Sequence, residues 1–175
     1  MTSFETARLR CQSLTLEDYA TFEAGNEPKW TGFTNPYNHL LEEPTPLRFR
    51  IPRVKANPGF AEIAIILAIS KDSNEVVGSA GFHDFPDENG MIEIGFGIVP
   101  EMQNQGFGTE LLLGMWKMIC RRDAVKILRY TVSPDNEQSL YLVRKLGFTE
   151  IGVQIDPEDG PELIFEMTKE EFLSK

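Results

Sequence analysis

The chain has 175 residues, of which 41% are hydrophobic and 25% charged. That is enough for one domain with a real core and short of two comfortable ones. A net charge of −10, with a pI near 4.7, speaks against a nucleic-acid or anionic-membrane partner, both of which need a basic field, and no apolar run approaches the roughly 20 residues that span a bilayer.

The opening "MTSFETARLR" lacks the basic-then-apolar pattern of a signal segment, so a cytoplasmic location is expected. "ARLRCQSL" (7–14) alternates and reads as a short strand. Thr15 then acts as N-cap, with Asp18 three residues on, and Leu16, Tyr19 and Phe22 recur at helical spacing before Gly25. Residues 26–60 hold six prolines with Trp30, Phe33 and Tyr37. They read as an irregular binding loop or lid, with a short helix near 46–56 broken by Pro52. "FAEIAIILAIS" (60–70), "VVGSAGFHDF" (76–85) and "MIEIGFGIV" (91–99) read as three strands of an antiparallel meander, joined by turns at "KDSNE" and "PDENG". A helix is predicted from 106 to about 121, a strand over 125–132, and a capped helix within 133–148, with Asp135 or Asn136 as N-cap and Gly147 as its stop. A closing hairpin, "TEIGVQI" and "ELIFEMT", completes an α+β pattern around one mixed sheet in a single domain, 1–175. Cys11 and Cys120, with His39 and His83, show no zinc spacing. The cysteines read as buried thiols, and no metal is expected.

Charge is uneven along the chain. Residues 150–171 carry eight acids and one base, whereas 44–58 carry Arg48, Arg50, Arg53 and Lys55 and no acid. An acidic surface tolerates a cationic acceptor, such as an amine or a basic protein segment.

The most informative stretch is "GIVPEMQNQGFGTELLL" (97–113). Glycine is a poor helix starter, yet Gly106 and Gly108 stand at the head of a leucine-rich helix. Bare backbone at a helix start lets an anion reach unpaired amides. The dinucleotide fingerprint fails, because leucine stands at the third glycine position and no acid ends the next strand. A P-loop fails for want of Gly-Lys-Ser/Thr. What remains is Gln-x-x-Gly-x-Gly, satisfied by Gln103, Gly106 and Gly108.

With the strand before it, the helix after it and the later "NEQSLYLVRKLGF" (136–148), the segment resembles the GNAT superfamily of acetyl-CoA-dependent N-acetyltransferases. "TARLRCQSLTLEDY" is similar to the opening of the branch that acetylates protein N-termini, ribosomal proteins included. The resemblance covers about 2–24 and 60–168. It implies a single-domain α+β GNAT-like fold: a mixed, mostly antiparallel sheet splayed between two parallel central strands, 91–99 and 125–132, with helices on both faces.

The resemblance also implies acetyl-CoA as acetyl donor, with no metal, and an amine acceptor, either a peptide N-terminus or a small amine. The pantetheine arm would pair with the backbone of Phe96, Gly97 and Ile98. The pyrophosphate would sit at Gln103, Asn104, Gln105, Gly106, Phe107, Gly108 and Thr109. Asn136 matches the asparagine that contacts the pantetheine, and it also reads as a helix cap. The tyrosine that many relatives carry seven residues later, to protonate the thiolate, is Val143 here, and Tyr141 points about 200° away. Ser139 is the candidate donor, or else a small packing residue. Glu93 shares a strand face with Gly95 and Gly97 and is the candidate base, or else an ion-paired strand residue. His83 is a further candidate for base or substrate contact, against a structural histidine. A catalytically silent CoA-binding or partner-binding module is the alternative from another class.

Overall fold

The N-terminal alternation folds as a hairpin rather than one strand. In the computed structural model, which describes residues 1–42, 45–157 and 160–175, β1 (Ser3–Glu5) and β2 (Leu9–Ser13) pair antiparallel. The Thr6 hydroxyl accepts the Leu9 amide at 3.1 Å and closes the turn between them. Helix α1 (Leu16–Glu23) begins with the predicted reciprocal box: Thr15 Oγ1 accepts from the Asp18 amide and the Asp18 carboxylate from the Thr15 amide.

Two expectations in 46–70 are corrected. Helix α2 (Leu47–Ala56) runs through Pro52 rather than breaking there. Tertiary contacts outweigh the hydrogen bond that proline cannot donate: Leu47, Arg50 and Val54 are buried, and Lys55 pairs with Glu23 at 2.7 Å. The predicted strand over 60–70 is helical in its first half. Asn57 Oδ1 accepts the Gly59 amide and starts a 3₁₀ turn (Pro58–Phe60), which leads into α3 (Ala61–Ala64). Only Ile66–Ser70 forms a strand, β3. An unbroken apolar run carries no period, so Phe60, Ile63 and Ile65 bury themselves in either conformation.

Then follow β4 (Val76–Phe82), β5 (Met91–Ile98), a 3₁₀ turn (Pro100–Met102), α4 (Phe107–Ile119), β6 (Ile127–Val132), α5 (Glu137–Lys145), β7 (Thr149–Asp156), β8 (Gly160–Thr168) and α6 (Lys169–Leu173). The strand order is β1-β2-β3-β4-β5-β6-β8-β7. β5 and β6 run parallel, while β1–β2, β2–β3, β3–β4, β6–β8 and β8–β7 run antiparallel. The closing hairpin pairs β7 with β8, with residues 158 and 159 outside the described residues, but its second strand takes the inner place. β8 buries Phe165 and Met167 there, and Ile151, Val153 and Ile155 of β7 remain exposed at the edge. Helix α6, capped by Thr168, has no counterpart in the sequence reading.

The chain groups into two compact units. The first, Met1–His83 with Phe96–Met115, packs Leu9, Ile66, Ile69, Val77, Phe82, Leu111 and Met115 into its core. The second, Asp84–Gly95 with Trp116–Lys175, is built on Ile92, Ile94, Leu128, Val143 and Phe165, with Trp116 and Phe148 ring centroids 6.1 Å apart. Both cysteines are buried free thiols, and burial pushes Cys11 up to about 12. Among the described residues, no helix is long and apolar enough to cross a membrane.

The irregular stretch after α1 is tied to the strands of its own unit. Trp30 stacks on Phe33 and donates to Asp18 at 3.0 Å; Thr34 bridges to Glu75; His39 Nε2 meets Ser79 Oγ at 2.8 Å. Burial lowers the His39 pKa to about 4, so the folded protein holds the ring neutral while an unfolded chain protonates it near 6.5. The stability this gives is complete above about pH 6.5 and declines as pH falls towards 4, by about 3 kcal/mol in all. Urea unfolding of wild type and His39→Gln checks it. The difference between their stabilities should move in the variant's favour from pH 7 to pH 4.5. An unchanged difference would mean that His39 is not held neutral.

Candidate active site

In the first unit, β5 leads through the 3₁₀ turn into a loop that opens α4. Gly97 is exposed, and a Cβ built on it would meet no atom within 4 Å. This leaves one face of the strand clear beside Phe96 and Ile98. Gln103 Nε2 donates to the Ile98 carbonyl at 2.9 Å, so this side chain braces the strand end. Asn104 and Gly106 have φ of +60° and +82°.

The first helical hydrogen bond of α4 runs from the Glu110 amide to the Gly106 carbonyl at 3.1 Å. Gly106 is thus the residue at the cap position, and it has no side-chain oxygen with which to cap. The amides of Phe107, Gly108 and Thr109 precede the first intrahelical donor and gather at a positive helix end. The two glycines serve different ends. Gly106 takes a left-handed φ that a β-branched residue rarely adopts. Gly108 lets α4 approach β5: a Cβ there would stand 3.1 Å from the Phe96 ring. Among the predicted loop residues, Gln105 donates to the Glu101 carbonyl at 3.2 Å, Phe107 is buried and Thr109 half-buried.

In the second unit, Ile92 and Ile94 are buried and Glu93 is half-buried on the opposite strand face, as alternation predicted. The alternation lapses beyond Gly95, where Phe96 and Ile98 of the first unit are both partly exposed rather than buried. The β5–β6 ladder pairs Met91 to Ile94 with Ile127 to Tyr130. At its end two side chains of β6 take up candidate residues. Thr131 Oγ1 donates to Glu93 Oε1 at 2.7 Å. Tyr130, on the buried face, donates its phenol to Ser139 Oγ at 3.2 Å. Burial raises the Tyr130 pKa, opposed by the Ser139 bond and supported by Glu162. Consecutive strand residues point to opposite faces, so the Glu93–Thr131 and Ser139–Tyr130 pairs flank β6 from its two sides. Arg129, which the register places beside Glu93, is committed to Glu166 at 2.5 and 2.8 Å.

Asn136 caps α5, its Oδ1 accepting the Ser139 amide at 3.0 Å. Val143 is fully buried, and Tyr141 is 68% exposed, on the far side as helical geometry requires. His83, in the first unit, is half-buried, and its carbonyl accepts from Arg53 of α2. Thr131 and Tyr130 were absent from the sequence reading. Their strand was legible in "KILRYTV", but their partners lie 38 and 9 residues away.

The model of the acetyltransferase (GNAT) domain matches residues 8–149. A relative, the uncharacterized N-acetyltransferase YjdG of Bacillus subtilis (strain 168), is 31% identical over 154 residues, covering 85% of this chain and 90% of its own. The fold is similar to that of RimL, a ribosomal L7/L12 alpha-N-protein acetyltransferase solved in complex with coenzyme A (TM-score 0.68, 16% identity, 95% of this chain and 98% of that one). It is equally similar to a spermidine N-acetyltransferase SpeG chimera from Vibrio cholerae and hSSAT (TM-score 0.69, 13% identity, 97% and 100%). The domain match over most of the chain and the well-covered relative show that the chain is an acetyltransferase with the single-domain GNAT fold, and that it belongs to the GNAT family.

Proposed function

We propose that the whole chain, 1–175, acts as one domain that transfers acetyl from acetyl-CoA to a primary amine, the α-amine of a protein or peptide N-terminus, by direct attack. The observation that carries the donor assignment is the head of α4, where a glycine stands at the cap position and the first amides are left to an outside acceptor. The backbone of Phe96, Gly97 and Ile98, beside the clear face at Gly97, would hold the pantetheine arm, as a strand holds an added strand. Gln103 would support it through the Ile98 carbonyl. The amides from Asn104 to Thr109 would hold the pyrophosphate, and Asn136, whose cap uses only Oδ1, keeps an amide donor for the arm. Acetyl-CoA supplies the acyl group as a thioester.

Glu93, oriented by Thr131, is assigned the proton of the attacking amine. Ser139, with Tyr130 behind it, is assigned the proton delivered to the departing sulfur. Their placement on opposite sides of β6 supports a reaction whose acceptor and donor approach from opposite faces. His83 is kept as an acceptor-side residue. An α-amine, at about 7.7–8.0, is substantially neutral near pH 7–8, whereas lysine, at about 10.4, is charged; a single carboxylate base therefore suits the former. The location proposed for this activity is cytoplasmic.

Thiol release from acetyl-CoA tests this with three acceptors: peptides with a free α-amine, lysine-containing peptides with a blocked α-amine, and spermidine. Release is expected with the first alone. Release with spermidine alone would make the protein a small-molecule acetyltransferase. Binding of acetyl-CoA without release on any acceptor would favour a silent binding module.

A further inference from the structure

We infer that Arg8 is a positioning residue for the donor site, holding the loop between β5 and α4 in the shape that aims its amides. The inference rests on reading that loop as the pyrophosphate site. Arg8 lies in the turn before β2, 97 residues from the nearest loop residue it binds. Its Nη1 donates to the Gln105 carbonyl at 2.9 Å, and its Nε donates to Glu110 Oε2 at 2.7 Å. Its backbone amide donates to Glu110 Oε1 at 2.6 Å, and the Thr6 hydroxyl reaches the same oxygen at 2.5 Å. The guanidinium carbon stands 4.3 Å from the centroid of the Phe107 ring. One side chain thereby grips three successive features of the loop: a peptide at its tip, the first helical residue, and the acid of the first turn.

Two consequences follow from elementary geometry. In a trans peptide the carbonyl of one residue and the amide of the next point in opposite directions. Pinning the Gln105 carbonyl towards Arg8 therefore turns the Gly106 amide away from it. Gln105, whose carbonyl is pinned, lies between two left-handed residues, Asn104 and Gly106, so the bond from Arg8 fixes the peptide in the middle of a tight turn. The second consequence is electrostatic. A carboxylate in the first turn of a helix favours the helix but competes with any other anion for the same positive end. Partial burial pushes the Glu110 carboxyl up, but the Thr6 hydroxyl and the Arg8 amide and guanidinium outweigh it, leaving it below the usual carboxylate value. Glu110 is thus ionised, paired and held towards β2, and its charge is answered by a cation of fixed geometry.

The guanidinium is needed as a fork, not as a charge, because Nε and Nη1 serve two different acceptors. Lysine would keep the charge and lose one of the two. Calorimetry of the full chain with acetyl-CoA, together with steady-state kinetics on a free α-amine peptide, tests this. Arg8→Met is expected to weaken acetyl-CoA binding by about 10-fold or more. Its kcat at saturating donor and its KM for the peptide should stay near wild type. Arg8→Lys is expected to recover little of the loss. An unchanged affinity in Arg8→Met, or full recovery in Arg8→Lys, would overturn the inference while leaving the donor site standing. A wild-type chain that does not bind acetyl-CoA would overturn both. If Arg8→Met does not fold, Arg8→Gln takes its place, with acetyl-CoA affinity expected to fall about 10-fold and an unchanged value overturning the inference.

Discussion

Glu93→Gln is expected to lower kcat by about 10²-fold or more at pH 7, with acetyl-CoA affinity nearly unchanged. The substitution keeps the size and an oxygen for the bond from Thr131 Oγ1, which lies 2.7 Å from the carboxylate, and it removes the charge and the capacity to take a proton. The loss should shrink as pH rises through the acceptor's own pKa, because the free amine then needs no base. Ser139→Ala should behave differently. Its loss should be smaller and should not shrink with pH, since delivering a proton to sulfur is a separate demand. Tyr130, buried behind Ser139, would remain as a more distant source. The measurement is kcat against pH for both variants. Wild-type activity of Glu93→Gln at pH 7 would remove Glu93 as base and make His83 the next residue to substitute.

Gly106→Val is expected to raise the dissociation constant for acetyl-CoA by about 10²-fold without unfolding the protein. At φ +82° a β-branched residue is strained by about 1–3 kcal/mol. The exposed loop can relieve that strain by flipping to a right-handed conformation. Recovering the binding shape then returns the strain as lost affinity, about 5- to 150-fold, and the valine side chain adds its own obstruction beside the Arg8 guanidinium, which lies 3.4 Å from where the Cβ would stand. Gly108→Val should act by another route, since its Cβ would press on the Phe96 ring and lift the helix start from β5. Calorimetry with circular dichroism on both variants decides. A folded Gly106→Val with wild-type affinity would remove the loop from the donor site.

Contacts within a few residues were legible without coordinates. The Thr15–Asp18 box, the Asn136 cap, the alternation of Ile92 and Ile94 with Glu93, and the bare glycines after a strand all follow from local hydrogen bonding and side-chain period. Those same features carried the family resemblance, so the family and its class of chemistry could be read before any coordinates. The errors lay where local rules are silent. Pro52 stayed inside α2 because neighbouring elements hold it, and 58–64 became helical because an unbroken apolar run serves a buried helix as well as a buried strand.

Only the tertiary structure decided who stands beside whom. β8 rather than β7 lies against β6; Thr131 and Tyr130 are the groups that orient Glu93 and Ser139; Arg8 reaches 97 residues along the chain to pin Gln105. The physical reason is the same in each case. A helix or strand period says which side of an element a residue occupies, but the partner on that side is set by strand order and packing. Those depend on burying the whole apolar surface at once, a property of the complete chain rather than of any short stretch of it.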